Sequence, residues 1–296
     1  MRISRFIFFL LFITANAFAQ KQDSVNYYQN KKVHEIFSSV DSMKMNYKEF
    51  DSTGILKREG ELLHYYVIRD VQVEDPVTHL FVLVLDTHRN VKMGLWTEYY
   101  PNGKRKLECI YDSSGILNGM FTAWYENGQI DSTGKAIGYF YKHETWDFYY
   151  ENGVKKRKED YDDLALFTQP ESIWFKRVDY YSSGTIKQIE QFDFNGDLTG
   201  DFFSFQDGNK WQQYGSYFET VVPDTFNNQV RFISYTTIKK GIWITFDKNE
   251  NIQSIENFDA NGNKIAITKE DQKIAEEKRL ELLKNKEQII SKNSHK

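Results

Sequence analysis

Apolar and polar positions alternate with a period of two through most of the chain, and this pattern changes only near its two ends. In LECIYD, residues 107 to 112, Leu107, Cys109 and Tyr111 share one face of a strand. The runs YYVIRDVQV and HLFVLVLDT lie between Leu62 and Thr87 and are separated by EDP, which predicts two longer strands. The second is apolar enough to be buried on both faces. Near the N-terminus, KKVHEIFSSVDSMKM places Val33, Phe37 and Val40, then Met43 or Lys44, at helical spacing, so a short helix is predicted within the segment 20–45. From Thr268 the chain is rich in helix formers and lacks glycine and proline, predicting a charged helix over 268–296. Its narrow apolar stripe comprises Ile274, Ala275, Leu282 and Ile289, with Leu283 and Ile290 beside them. That stripe either covers the exposed last strand or offers Leu282 and Ile289 to a partner; a solvated tail is the third reading.

Between these ends the chain repeats. GLWTEYYPNG (94–103), GMFTAWYENG (119–128) and ETWDFYYENG (144–153) align without gaps at a period of 25 residues. The third position holds Trp96, Phe121 or Trp146, the sixth Tyr99, Trp124 or Tyr149, and the seventh Tyr100, Tyr125 or Tyr150. Each unit closes on Asn-Gly at Gly103, Gly128 or Gly153, and a half-period of twelve residues separates Gly103 from Gly115 and Gly184 from Gly196. The unit is therefore strand, turn, strand, turn, with Asn-Gly predicting type I′ hairpins. Since the rings fall on both faces, each hairpin must pair with the next to bury them.

The pattern resembles the MORN-repeat family, and more closely its bacterial variant, in which G-x-W-x-x-Y-Y-x-N-G-K recurs at slightly more than twenty residues. GLWTEYYPNGK (94–104) matches nearly residue for residue, while GIWITFDKNENI (241–252) keeps Gly241 and Trp243 but has Glu250 in place of the turn glycine. EFDSTGILKREGEL (49–62) resembles a further half unit, so the repeat domain is expected over 46–267, most regular over 94–156. Two interruptions are expected at DDLALFTQPESIWF (162–175) and over 219–240, the latter a long loop or extended hairpin. The resemblance implies a mainly β, antiparallel meander that is non-enzymatic and acts as an interaction scaffold; some bacterial members are labelled antitoxin-like.

The stretch DFNGDLTGD (193–201) aligns Asp193, Asn195, Asp197 and Asp201 like oxygen ligands of a hard cation. An EF-hand loop needs glycine sixth and glutamate twelfth, where this chain has Leu198 and Ser204. The stretch reads as a hairpin turn in the repeat's own register, and no metal site or cofactor is expected.

Arg2 and Arg5, the apolar run Phe6–Ile13 and Ala17-Phe18-Ala19 form a leader pattern, with cleavage expected after Ala19 and export to the periplasm or beyond. The alternative, an uncleaved anchor, has an apolar run shorter than the roughly 20 residues that span a bilayer. Cys109 is the sole cysteine, so no intrachain disulfide forms, and it reads as a small buried residue. Loss of Arg2 and Arg5 takes the net charge from −4 to −6, which argues against nucleic acid as partner.

Catalytic motifs are lacking; Asp86, His88 and His79 form the nearest acid–base group, and His34, His64, His143 and His295 show no metal-ligand spacing. Two function classes remain: a scaffold for an unidentified envelope protein, and a glycan platform of exposed aromatic rows at Tyr99, Trp124 and Tyr149. A membrane-surface role needs the basic runs Lys104–Lys106 and Lys155–Lys158 on one edge, and net acidity weighs against it.

Overall fold

The computed structural model describes residues 23–294, apart from 42, 75–80, 139–140, 162–174, 194 and 227–228, and apart from the side chains of 65–89, 141 and 221–235. The leader, His79, His295 and most of the 162–175 interruption lie outside the described residues, as do the side chains of Asp86 and His88. Among the described residues the fold is mainly β and antiparallel, with one helix near the C-terminal end. It divides into a unit ending at Lys92 and a unit beginning at Met93.

The first unit contains β1 (Ser24–Tyr27), β2 (Val33–Ser39), β3 (Lys44–Phe50) and β4 (Leu56–Glu74), each paired antiparallel with the next. The helix expected over 31–45 is absent: β2 and β3 form a hairpin there. Val33 and Phe37, four residues apart, share a face in a helix and in a strand alike, so a seven-residue stretch satisfies both periods. Cross-strand partners decide between them, since Phe37 pairs with Tyr47 at 5.1 Å between ring centroids and Tyr47 donates to Glu35 at 2.9 Å.

Strand β5 (Phe81–Tyr99) runs from the first unit into the second. The second unit continues with β6 (Arg105–Tyr111), β7 (Leu117–Trp124), β8 (Ile130–Gly138), β9 (Tyr141–Tyr149), β10 (Lys155–Tyr161), β11 (Phe175–Tyr180) and β12 (Ile186–Phe192). Then follow β13 (Leu198–Gln206), β14 (Lys210–Phe226), β15 (Gln229–Phe246), β16 (Ile252–Phe258), β17 (Lys264–Ile265) and α1 (Lys269–Asn293). From β5 onward every strand pairs antiparallel with its successor. The 219–240 interruption is an extended hairpin, with Thr220 opposite Thr236 and Phe226 opposite Gln229.

The turns differ from the expected type I′. Gly103, Gly128 and Gly153 take φ of 80°, 96° and 82°, whereas the preceding asparagines are not among the residues with positive φ. Gly103 donates its amide to the Tyr100 carbonyl at 2.9 Å, Tyr100 to Lys104 at 2.8 Å, and the pairing shifts register at Tyr99. This is a type I turn followed by a left-handed glycine bulge, and the Asn102 side chain favours it by accepting from the Lys104 amide at 3.0 Å. The same turn appears at Tyr28–Lys32, with Lys31 at φ 64° in the glycine's place, so the repeat geometry starts upstream of residue 46. NYYQNKK (26–32) carried that signal.

Cross-strand pairing defines one row across the second unit, with every member on the same face. It runs Thr97, Glu108, Thr122, Thr133, Asp147, Lys158 from β5 to β10. It continues Val178, Ile189, Phe203, Tyr214, Ile244, Ile255 from β11 to β16. The row switches from polar to apolar between β10 and β11, and α1 packs over the apolar half. Ala275 and Leu282 are buried there in one cluster with Val178, Ile189, Phe205, Trp211, Ile244 and Phe246. Thr268 caps the helix in a reciprocal box with Asp271. Asp271 accepts from Asn257 of β16 at 3.0 Å, and the Tyr180 hydroxyl of β11 donates to the Asn293 carbonyl at 2.6 Å. The helix thus crosses from β16 to β11 rather than guarding the last strand alone.

Candidate interaction surface

The repeat residues divide by role. Trp96, Trp146 and Trp243 are buried on the sheet face opposite α1. Phe121 packs on Trp146 at 5.3 Å between centroids, and Phe202 on Trp243 at 5.6 Å. Two of these indoles lie on glycines: a methyl group at Gly134 would stand 2.3 Å from Trp146, and one at Gly215 would stand 2.1 Å from Trp243. The pairing shifts register beside each glycine, which is how the ring fits against backbone. Cys109, opposite both Trp96 and Phe121, is buried as expected.

The seventh-position tyrosines connect repeats. Tyr100 donates its hydroxyl to the Trp124 carbonyl at 2.7 Å, Tyr125 to Tyr149 at 2.7 Å and Tyr150 to Tyr180 at 2.9 Å. Tyr181 continues the ladder to Phe205, and Tyr28 makes the same bond to Phe50 in the first unit. Burial, then the nearby Asp131 carboxylate, pushes Tyr125 up to about 12, so it stays a donor at any ordinary pH. These bonds explain a tyrosine at that position without any ligand.

At the sixth position, Tyr99, Trp124 and Tyr149 are half-buried. Cations lie over two of these rings: the Arg105 guanidinium is 4.8 Å from the Trp124 centroid and the Lys155 ammonium 6.0 Å from that of Tyr149. The basic runs are engaged elsewhere too. Lys104 donates to the Asn127 carbonyl at 2.9 Å, Arg105 pairs with Glu108 at 3.0 Å, Lys155 with Asp147 at 2.9 Å and Lys158 with Asp160 at 2.7 Å.

Leu282 and Ile289, the helix residues considered for a partner, face the sheet: Leu282 is buried in the core cluster and Ile289 packs against it. A cleft of 280 Å³ opens beside the first turns of α1, lined by Tyr214, Lys240, Ile242, Ile274 and Lys278.

Among the described residues no helix lies over the continuation of that face across β5–β8, where Thr97 is buried but a group of apolar side chains is exposed. Leu95 and Ile110 stand opposite each other there, exposed by 54% and 36%. Met120 (53%) and Ile137 (38%) continue the exposed group on β7 and β8, where Met120 pairs with Lys135 and Asn118 with Ile137. Sequence reading did not single these residues out, because an apolar residue alternating with tryptophan looks like a second core face.

Residues 94–113 match the family described as MORN repeat variant. No curated protein matches the chain. The chain is similar to the TcdB2-TccC3 crystal structure at 10% identity and a TM-score of 0.20, covering 82% of this chain and 15% of that one. A porin-like protein from Bacteroides uniformis ATCC 8492 is similar at 10% identity and a TM-score of 0.14, covering 69% of this chain and 93% of that one. Both TM-scores are too low to bear on the site.

Proposed function

We propose, from the premise that residues 94–113 are a MORN-variant repeat, that this chain is a non-enzymatic β-repeat scaffold that binds another protein through the bare face of β5–β8. The observation that carries the reading is the exposed group Leu95, Ile110, Met120 and Ile137, flanked by threonines on the same face. An apolar centre with a polar surround is the usual anatomy of a protein contact. The leader pattern over 1–19 supports reading the scaffold as exported, and hence its partner as a protein of the cell envelope.

The glycan reading is less well supported, because sugar rings need free aromatic faces and Arg105 and Lys155 lie over Trp124 and Tyr149. The engaged lysines and arginines of the two basic runs likewise leave few charges for a membrane surface.

The test is crosslinked capture from the cell envelope with the tagged chain, comparing it with a Leu95→Asp/Met120→Asp double variant. Both positions are exposed, so the variant should fold, as circular dichroism would verify. The expected result is a protein enriched by the parent chain and lost by at least tenfold with the variant. Equal capture by the folded variant would overturn this surface, and capture of glycan without protein would favour the platform.

A further inference from the structure

Among the described residues, five turns begin with aspartate and share one backbone geometry: those starting at Asp51, Asp112, Asp193, Asp247 and Asp259. In each, the aspartate Oδ1 accepts from the amides two and four residues on. That arrangement explains an aspartate at the turn and calls for no ligand.

The turn at Asp193 differs from its four relatives in three ways. Asp193 is 1% exposed, and its second oxygen, Oδ2, is buried without a hydrogen-bond partner. The residue four positions on is Asp197, where the relatives have Ile55, Ile116, Asn251 and Asn263. Glu219 of β14 comes alongside, so that one oxygen from each of Asp193, Asp197 and Glu219 lies within 4.8 Å of the others. Both Asp193 amide bonds end on Oδ1, so Oδ2 is the oxygen Asp193 has to offer. Among the described residues no lysine or arginine pairs with any of the three, and the one side-chain donor is Asn195, whose Nδ2 reaches Glu219 Oε1 at 3.2 Å. Three clustered acids, one with a buried and unpartnered oxygen, must have their charge offset by a bound cation or by a retained proton, since no lysine or arginine among the described residues does so.

We propose that Asp193, Asp197 and Glu219 form a binding site for a divalent hard cation, with Ca2+ the best fit. All the donors are oxygens, which selects against zinc and copper. Three oxygens that all lie within 4.8 Å of one another are close enough to converge on one Ca2+, whose oxygen ligands stand at about 2.3–2.6 Å in a flexible shell. Water would fill the remaining positions, since Asp197 and Glu219 are only partly buried. Mg2+, which demands a near-ideal octahedron at about 2.0–2.1 Å and gives up water reluctantly, suits three carboxylates from a turn and a strand less well.

The site is not an EF-hand. Its third carboxylate comes from a strand 24 residues beyond Asn195 rather than from the loop's twelfth position. Asp201, read from sequence as a fourth ligand, is engaged elsewhere: it accepts from the Tyr214 hydroxyl at 3.0 Å and from Ser216 Oγ at 2.9 Å. The cation would tie the β12–β13 turn to β14, a connection that Tyr100, Tyr125 and Tyr150 make with hydroxyls elsewhere.

The experiment is calorimetric titration of the metal-stripped full chain with CaCl2, and separately with MgCl2, alongside thermal unfolding with and without Ca2+. The variants are Glu219→Gln, Asp197→Asn and, as a control in a related turn, Asp259→Asn. The expected result is saturable binding of one Ca2+ per chain, tighter than Mg2+, and a rise in Tm that chelator reverses. Glu219→Gln and Asp197→Asn should each weaken binding at least tenfold, while Asp259→Asn binds as the parent does. Neutralising Glu219 should also leave the metal-free chain as stable as the parent or more so, which shows that lost binding is not lost folding. No Ca2+ heat at neutral pH, with a Tm that Ca2+ does not move, would mean that the acids are neutralised by a proton instead and would overturn the proposal. Binding that survives Glu219→Gln and Asp197→Asn together would overturn it as well.

Discussion

The two halves of the second unit's sheet are built from the same hairpin and the same turn, yet one face of them has opposite fates. Over β5–β10 the row Thr97, Glu108, Thr122, Thr133, Asp147, Lys158 is polar and carries no helix over it among the described residues, with Thr97 and Lys158 buried and the members between them half-buried. Over β11–β16 its continuation, Val178 through Ile255, is closed by α1. On the opposite face the halves agree, because tryptophans lie against glycines in both, Trp146 on Gly134 and Trp243 on Gly215. A repeat therefore specifies the strand, the turn and one face, while the residue at the remaining position decides whether a second layer forms.

The largest effect should come from removing the layer. Deleting 268–296 bares Ile189, Phe205, Trp211, Ile244 and Phe246, and the expected outcome is loss of cooperative unfolding with strong binding of a hydrophobic dye. A sharp, parent-like thermal transition would show that the apolar half stands without its helix. Next in size is Gly215→Ala, which drives a methyl group into the Trp243 ring and should cost about 3 kcal/mol, measured by urea unfolding. The alanine at Gly134 should cost a similar amount if the faces opposite α1 are equivalent in the two halves.

The smallest effect is a pair that reads the row itself. Ile189→Thr puts a hydroxyl beneath α1 and should cost about 2 kcal/mol, whereas Thr122→Val on the bare half should stay within about 0.5 kcal/mol. Equal costs would mean that the two halves differ less than their burial suggests.

The turns were legible because glycine at positive φ leaves a local mark, and so was the capped helix, which begins at Thr268 where the composition changes. The strand at Val33–Ser39 was not, since seven residues fit two periods equally well and only pairing with β3 distinguishes them. Asn-Gly suggested a two-residue turn, but the glycine bulge needs just one left-handed residue, and the pairing shift at Tyr99 reveals it. The bare apolar group was invisible for a different reason: Leu95 and Ile110 alternate with Trp96 and Cys109 as core residues do, and their exposure depends on what is missing above them.

The repeat, the strand faces and the terminal helix are local properties, carried by periodicity, turn chemistry and helix propensity over ten to twenty-five residues. Which half the helix covers, which glycine receives each indole and which carboxylate joins Asp193 depend on residues far apart in the chain. Those pairings are determined only when strands register against one another, because packing and charge act through distance in space rather than along the backbone.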